Sequence, residues 1–314
     1  MLLYGAFVEA ERMVVVRKTL RLPGLPESLD GYRIALIADF HLRDRHTVDL
    51  TRRAIDQVVD EDPDIVVIAG DFVGYWKPES AWLIGEALQD LDRFSGRVIA
   101  VPGNHEYWSG NPSLLAPICD ELGIRLLRNE THFQDGIHWV GIDSLNACRA
   151  DPILANLDFE GHEDRDDEEL RIAIWHEPDA VEHLPPGCDL MLSGHSHGGQ
   201  FVFPGGFIPM KTKNGRKYIG GFYPNAPTPL YVTRGIGTTG PPSRFLCPPE
   251  VVILTLSCDT QQNSQGNSRM AKVRRPNTGK YTVFDGPFEP VVNLKEPDNF
   301  IGGKGGFATK AVSA

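Results

Sequence analysis

Cysteine is scarce in this chain. Five cysteines in 314 residues (Cys119, Cys148, Cys188, Cys247 and Cys258) are odd in number and contain no CxxC pair. That excludes a disulfide framework and a cysteine-ligated structural zinc site, and it fits reduced thiols in a cytoplasmic protein. No apolar run approaches the length of a membrane span. The start, MLLYGAFVEAERM, lacks a basic n-region and makes a poor signal peptide. Basic charge is also short: 31 Lys and Arg face 42 Asp and Glu, a net −11. An acidic chain argues against a general nucleic-acid binder, because phosphate backbones attract basic faces. A small phosphorylated ligand stays open, since a metal can supply positive charge locally.

What is present is an ordinary globular composition, 41% hydrophobic and 23% charged. Six short Val/Ile-rich segments have strand character and share one feature: their downstream ends are polar. RIALIADFH ends in Asp39 and His41, PDIVVIAGD in Asp71, and RVIAVPGNHE in Asn104, His105 and Glu106. IHWVGIDSLN passes through Asp143 to Asn146, RIAIWHEPD reaches His176, and CDLMLSGHSH reaches His195 and His197. Continuous apolar runs are what strands covered on both faces look like. Helical periodicity falls between them, over 49–62, 79–91 and 112–123. Strand–helix alternation predicts a layered α/β domain, with functional groups gathered beyond the carboxyl ends of the strands. Further strands are expected at GQFVFPGGFIPM and PLYVTRGIG, and EVVILTLS (250–257) is expected to be the last core strand.

From Asp259 the pattern fails. Residues 259–314 hold eight Lys/Arg against five Asp/Glu, leaving about −14 on the rest. The expectation is one domain over 1–258 and a flexible tail, within which KYTVFDGPFEPVVNL has weak strand character. The acidic run 158–170 lacks the regular offsets of a calcium loop and reads as a solvated loop entering a helix N-terminus.

Each polar strand end is weak evidence alone. Together, Asp39, His41, Asp71, Asn104, His176, His195 and His197 form a mixed nitrogen and oxygen donor set suited to Mn, Fe, Zn or Ni. Seven ligands exceed one tetrahedral ion and suffice for two if one carboxylate bridges. On an extended backbone, His195 and His197 would point the same way, since side chains alternate with period two. Gly198 and Gly199 would then keep side-chain bulk away from the ions. His46, His132, His138, His162 and His183 read as structural.

The blocks DFH, GD, GNHE, HEPD and GHSHGGQ, in that order, resemble the calcineurin-like metallophosphoesterase superfamily, and RGIGTTGPPSRFLCPPEVVILTL resembles one bacterial subgroup of it. The resemblance spans roughly 8–257. It implies a four-layer α/β/β/α sandwich of two mixed sheets flanked by helices, with a dinuclear centre. Carried over by motif, Asp39, His41, Asp71 and His197 would hold one divalent ion, and Asp71, Asn104, His176 and His195 the other, with Asp71 bridging. A hydroxide shared by the two ions would attack a phosphodiester, phosphomonoester or pyrophosphate bond. His105 would stabilise the transition state or protonate the leaving group, and Glu106 would orient it. Arg234 is a weaker candidate for substrate contact.

A nuclease of the same superfamily and a metal-stabilised binding scaffold are the competing expectations. The resemblance also implies lipid-linked or nucleotide-linked phosphoesters among the substrates. Peripheral membrane association is the alternative to the cytoplasm, with an anchor preceding YGAFVEAERM.

Overall fold

The computed structural model describes residues 4–108, 112–155, 169–258 and 283–284. Two mixed sheets stack face to face. In chain order the strands are β1 (Val14–Arg21), β2 (Arg33–Ile37), β3 (Ile65–Ile68), β4 (Val98–Ala100), β5 (Arg125–Leu126), β6 (Glu130–Gln134), β7 (Ile137–Ile142), β8 (Leu170–Trp175), β9 (Leu190–Ser193), β10 (Gly221–Tyr223), β11 (Leu230–Val232), β12 (Glu250–Ser257) and β13 (Val283–Phe284). The first sheet runs β13-β1-β12-β2-β3-β4-β5 and the second β10-β11-β9-β8-β7-β6.

Alternation along the strands builds the layers. On β2 and β3, Ile34, Leu36, Ile65 and Val67 face the second sheet, while Ala35, Ile37, Val66 and Ile68 face the helices. On β8, Leu170, Ile172 and Ile174 face the first sheet; Ala173 and Trp175 face outward. Both faces of these three strands are therefore dry, which is why their segments read as unbroken apolar runs. Each Val, Leu or Ile among them contributes about 1.5–3 kcal/mol by burial.

The helices cover the first sheet. α1 (Arg45–Glu61) starts four residues before its expected position, because Asp44 and Thr47 form a capping box. It buries Val48, Thr51, Ala54, Ile55 and Val58 and ends at Asp62 in the left-handed region. α2 (Ser80–Leu88) buries Leu83, Ile84, Ala87 and Leu88 and continues as a 3-10 turn over Gln89–Phe94. α3 is the four-residue His105–Trp108, and α4 is Leu115–Glu121. The outer face of the second sheet is covered by the 3-10 helix Pro178–His183 and by flanking loops that bring in Ala155 and Tyr218.

Two differences from expectation stand out. β1 pairs in parallel with β12 over eight positions, from Val14–Glu250 to Arg21–Ser257, and was not marked as a strand. The stretch 201–210 is a loop with isolated bridges, Phe201–Phe245 and Phe203–Phe207, rather than a strand. Gly205 and Gly206, at φ 84° and 78°, turn it back on itself. The tail and most of the acidic run 158–170 lie outside the described residues, except that Val283 and Phe284 pair antiparallel with Leu20 and Thr19.

Candidate metal centre

The carboxyl ends of β2, β3, β4, β8 and β9 converge where the two sheets meet, and every expected ligand lies there, buried. The loop after β2 runs beside the loop after β3: Asp39 N donates to Gly70 O at 2.9 Å, and His41 N donates to Asp71 O at 3.2 Å. Asp39, His41, Asp71, His195 and His197 all have positive φ, between 47° and 68°. Non-glycine residues enter this region at a cost, so the fold holds strain at the site. Gly103 is needed for close approach: a Cβ there would lie 2.2 Å from Asp71 Oδ1.

The donor atoms form a chain of three triads: Asp39, His41 and His197; then His41, Asp71 and His105; then Asp71, His176 and His195. Within each, the atoms lie within 4.8 Å of one another. His41 and Asp71 are the shared links. His41 Nε2 stands 3.5 Å from Asp71 Oδ2, and His176 Nε2 stands 3.1 Å from the same oxygen. His195 Nδ1 lies 3.2 Å from His176 Nε2, and His197 Nε2 lies 3.5 Å from Asp39 Oδ1.

Backbone carbonyls set which ring nitrogen faces inward. His176 Nδ1 pairs with Ala69 O at 2.6 Å, and His105 Nδ1 with Gly74 O at 2.6 Å. Each Nδ1 then carries the proton and each Nε2 faces the centre. His195 is reversed: its Nε2 pairs with Lys213 O at 2.7 Å, turning Nδ1 inward. Asp39 also ties the sheets together, its carboxylate accepting the His195 N–H at 3.0 Å.

Electrostatics suit cation binding. Burial holds the imidazoles of His41, His195 and His197 below their usual range, so they are neutral donors. Burial alone would raise Asp71, but His176 and His105 hold it well below the carboxylate range. His176 is correspondingly raised by Asp71 against its own burial. Burial pushes Asp39 up to about 7. Asn104 Oδ1 and His41 Nδ1 are buried without a hydrogen-bond partner. An orphaned amide oxygen beside two carboxylates and four imidazoles is a donor set that divalent cations fit.

Several expectations need correction. His195 and His197 do not sit on extended backbone, because β9 ends at Ser193 and Ser196 is helical in conformation between two left-handed residues. The two rings reach different triads because of that turn, not because of strand alternation. A Cβ on Gly198 would strike Arg234 and Cys247, and one on Gly199 would strike Ile208, so these glycines relieve packing rather than space around ions. Glu106 does not orient His105. Its carboxylate accepts N–H bonds from Gly103 (2.7 Å), Asp71 (3.2 Å) and Val73 (3.2 Å), bracing two ligand loops. Arg234 pairs with Glu250, its Nε at 2.7 Å, which is the structural role rather than a substrate contact.

Sequence reasoning missed the supporting roles of three residues. Arg244 is fully buried and donates to carbonyls of Arg234, Gly235 and Gly237, with Nη2 3.5 Å from His197 Nδ1. Its signal was a lone arginine in the apolar, proline-flanked PPSRFLCPP. Glu177, inside HEPD, accepts from Ser144 Oγ and from the N–H groups of Leu145 and Asn146. Asn146 in turn donates to Lys213 O at 3.1 Å, steadying the carbonyl that holds His195.

Comparisons with known proteins show the family to which the chain belongs. Residues 32–199 match the family model described as calcineurin-like phosphoesterase. The chain is 29% identical over 261 residues to metallophosphoesterase YkuE of Bacillus subtilis, covering 81% of this chain and 88% of that one. It is 31% identical over 267 residues to a metallophosphoesterase of Aquifex aeolicus, covering 81% and 96%. To the phosphodiesterase YaeI of Escherichia coli it is 27% identical over 246 residues, covering 75% and 86%. No helix among the described residues is long and apolar enough to cross a membrane. The family model takes in every one of the site's expected ligands, from Asp39 to His197, and the protein belongs to the calcineurin-like phosphoesterase family.

Proposed function

We propose that this protein is a dinuclear metal-dependent phosphoesterase whose first substrate class is the phosphodiester. The observation that carries this reading is the chain of triads linked through His41 and Asp71. Asp39, His41, Asp71 and His197 would hold one divalent ion, and Asp71, Asn104, His176 and His195 the other. Mn, Fe, Zn or Ni suit such donors. When bound, the pair supplies positive charge to phosphoryl oxygens and brings the pKa of water into the physiological range.

The chain's own groups do the rest. Asp71, shared by two triads, fixes the spacing of the two halves. His105 holds its Nδ1 proton on Gly74 O, leaving Nε2 facing the centre 4.0 Å from Asp71 Oδ2. With a second proton on Nε2, the imidazolium gives that proton to a phosphoryl or leaving oxygen and is left neutral, its Nδ1–H still on Gly74 O. Glu106 keeps Gly103, Asp71 and Val73 in register. The likeness to a relative named as a phosphodiesterase supports the diester over a monoester or pyrophosphate. The acidic composition supports a small phosphoester over nucleic acid, and the scattered free cysteines support a cytoplasmic setting.

The test is hydrolysis of bis(p-nitrophenyl) phosphate, p-nitrophenyl phosphate and a dinucleoside pyrophosphate by Mn-loaded and chelated protein. Metal-dependent turnover fastest on the diester is expected. Metal uptake without turnover on any of the three would make the chain a scaffold, and cleavage of DNA in preference to all three would make it a nuclease.

A further inference from the structure

Beside the centre stands a loop of which the catalytic reading uses only the Lys213 carbonyl. It runs from Phe203 to Lys217, FPGGFIPMKTKNGRK, and presents Phe207 and Met210 to solvent at 65% and 57% exposure. Exposed apolar residues are ordinary singly; here two lie within four positions and are followed directly by cations. Phe203 N donates to Phe207 O at 2.8 Å, and the Phe203 ring packs against Phe207 and Phe245. The downstream half is pinned as firmly: Asp179 accepts the N–H groups of Arg216, Lys217 and Tyr218, and Asn214 Nδ2 donates to Asn146 Oδ1 at 2.8 Å. Both ends of the loop are thus tied to the body of the domain, and Phe207 and Met210 stand exposed between them.

Charge identifies what they face. From Phe207 to Lys217 the chain has Lys211, Lys213, Arg216 and Lys217 and no acid, in a protein of net charge −11. Lys217 pairs with Glu182, whereas no carboxylate among the described residues lies within ion-pair distance of Lys211, Lys213 or Arg216. We infer that the Phe203–Lys217 loop is a docking element for an anionic phospholipid surface, with Phe207 and Met210 entering the interface and Lys211, Lys213 and Arg216 meeting the headgroups. Aromatic and aliphatic tips flanked by cations suit the plane of a bilayer interface, and no described helix crosses it. The element also adjoins the centre. Lys213 O holds His195 Nε2, and Ile208 packs where a Cβ on Gly199 would be. Docking through it sets the candidate metal centre against the headgroup layer.

The inference is independent of hydrolysis, because a chain with no turnover would still bind vesicles. The experiment is co-sedimentation of the full chain with phosphatidylcholine vesicles, with and without phosphatidylglycerol, at low and high salt. Binding is expected with phosphatidylglycerol only and is lost at high salt. Phe207→Ser with Met210→Ser should lower partitioning about tenfold or more, and Lys211→Glu with Arg216→Glu should remove the preference for anionic lipid. Both double variants should keep wild-type melting temperature and basal turnover of a soluble diester. Absence of binding, equal binding to neutral vesicles, or wild-type binding by both variants would overturn the inference. So would concentration-dependent dimerisation in sedimentation velocity that the Phe207/Met210 variant abolishes, since a second copy would then be the occupant.

Discussion

His41 Nε2 and His197 Nε2 stand 2.9 Å apart, although 156 positions separate them in the chain. One imidazole comes from the end of β2 and the other from the turn after β9, so their approach records the docking of the two sheets. Burial keeps both below their usual pKa, and two neutral rings in such contact can share at most one proton between them. A cation satisfies both lone pairs at once. Divalent metal should therefore stabilise the fold, by about 2.7 kcal/mol per site at a hundredfold excess over Kd. Thermal unfolding with Mn and with chelator checks this. An unchanged melting temperature would mean that the pair binds no cation.

His105 separates binding from turnover. His105→Ala should retain both ions, because the seven other donors stay in place. It should lower kcat on a chromogenic diester about 10²–10⁴-fold, the usual contribution of a positioned proton donor. Full activity at saturating metal would remove His105 from the reaction.

Glu106 acts through backbone. Its carboxylate satisfies three N–H groups around Gly103, Asp71 and Val73. Glu106→Ala leaves them buried and unpaired, at a cost of about 3 kcal/mol or more. Metal affinity should fall about 10–100-fold, as when other supports of ligands are removed. Urea unfolding and metal titration give the two numbers, and a variant as stable as wild type would show that water replaces the carboxylate.

The cysteines offer a readout of the packing behind the ligands, since Cys247 Sγ lies 3.3 Å from His197 O. Cys148 is exposed, while Cys119 and Cys247 are buried. Burial, with Glu106 adding to it, pushes the Cys119 thiol up to about 12. A thiol reagent at pH 8 should label Cys148 quickly and spare Cys119 and Cys247 until the protein unfolds. The folded chain keeps the Cys119 proton where the unfolded chain releases it, so this group's share of stability is intact below about pH 9 and is lost as pH rises towards about 12. Rapid labelling of all five cysteines in the native protein would contradict the packing around α4 and the Arg244 loop.

The ligands were legible because each follows a strand that is apolar on both faces, and a polar residue placed there has few roles other than chemistry. Five motif blocks in order then specified the family and its layers. What was not legible depends on backbone and on distant segments. Nothing in the identity of His195 or His197 announces a positive φ; that conformation is imposed by the turn between β9 and the Gly198 contact with Arg234 and Cys247. The role of Glu106 was misassigned because sequence neighbourhood to His105 suggested contact, whereas helix α3 turns its carboxylate to the opposite side, under Gly103. Arg244 was invisible because its partners are carbonyl oxygens, which leave no trace in composition. β1 was missed because its partner, β12, lies at the far end of the domain.

The most direct measurement of the central claim is the metal stoichiometry of the Mn-loaded protein, set beside that of Asp71→Asn. The shared position of Asp71 in two triads predicts close to two equivalents per wild-type chain, and a loss of at least one of them, together with turnover of the diester, in the variant. A wild-type chain that retains no metal after dialysis, or an Asp71→Asn variant that keeps both ions at wild-type affinity, would contradict it.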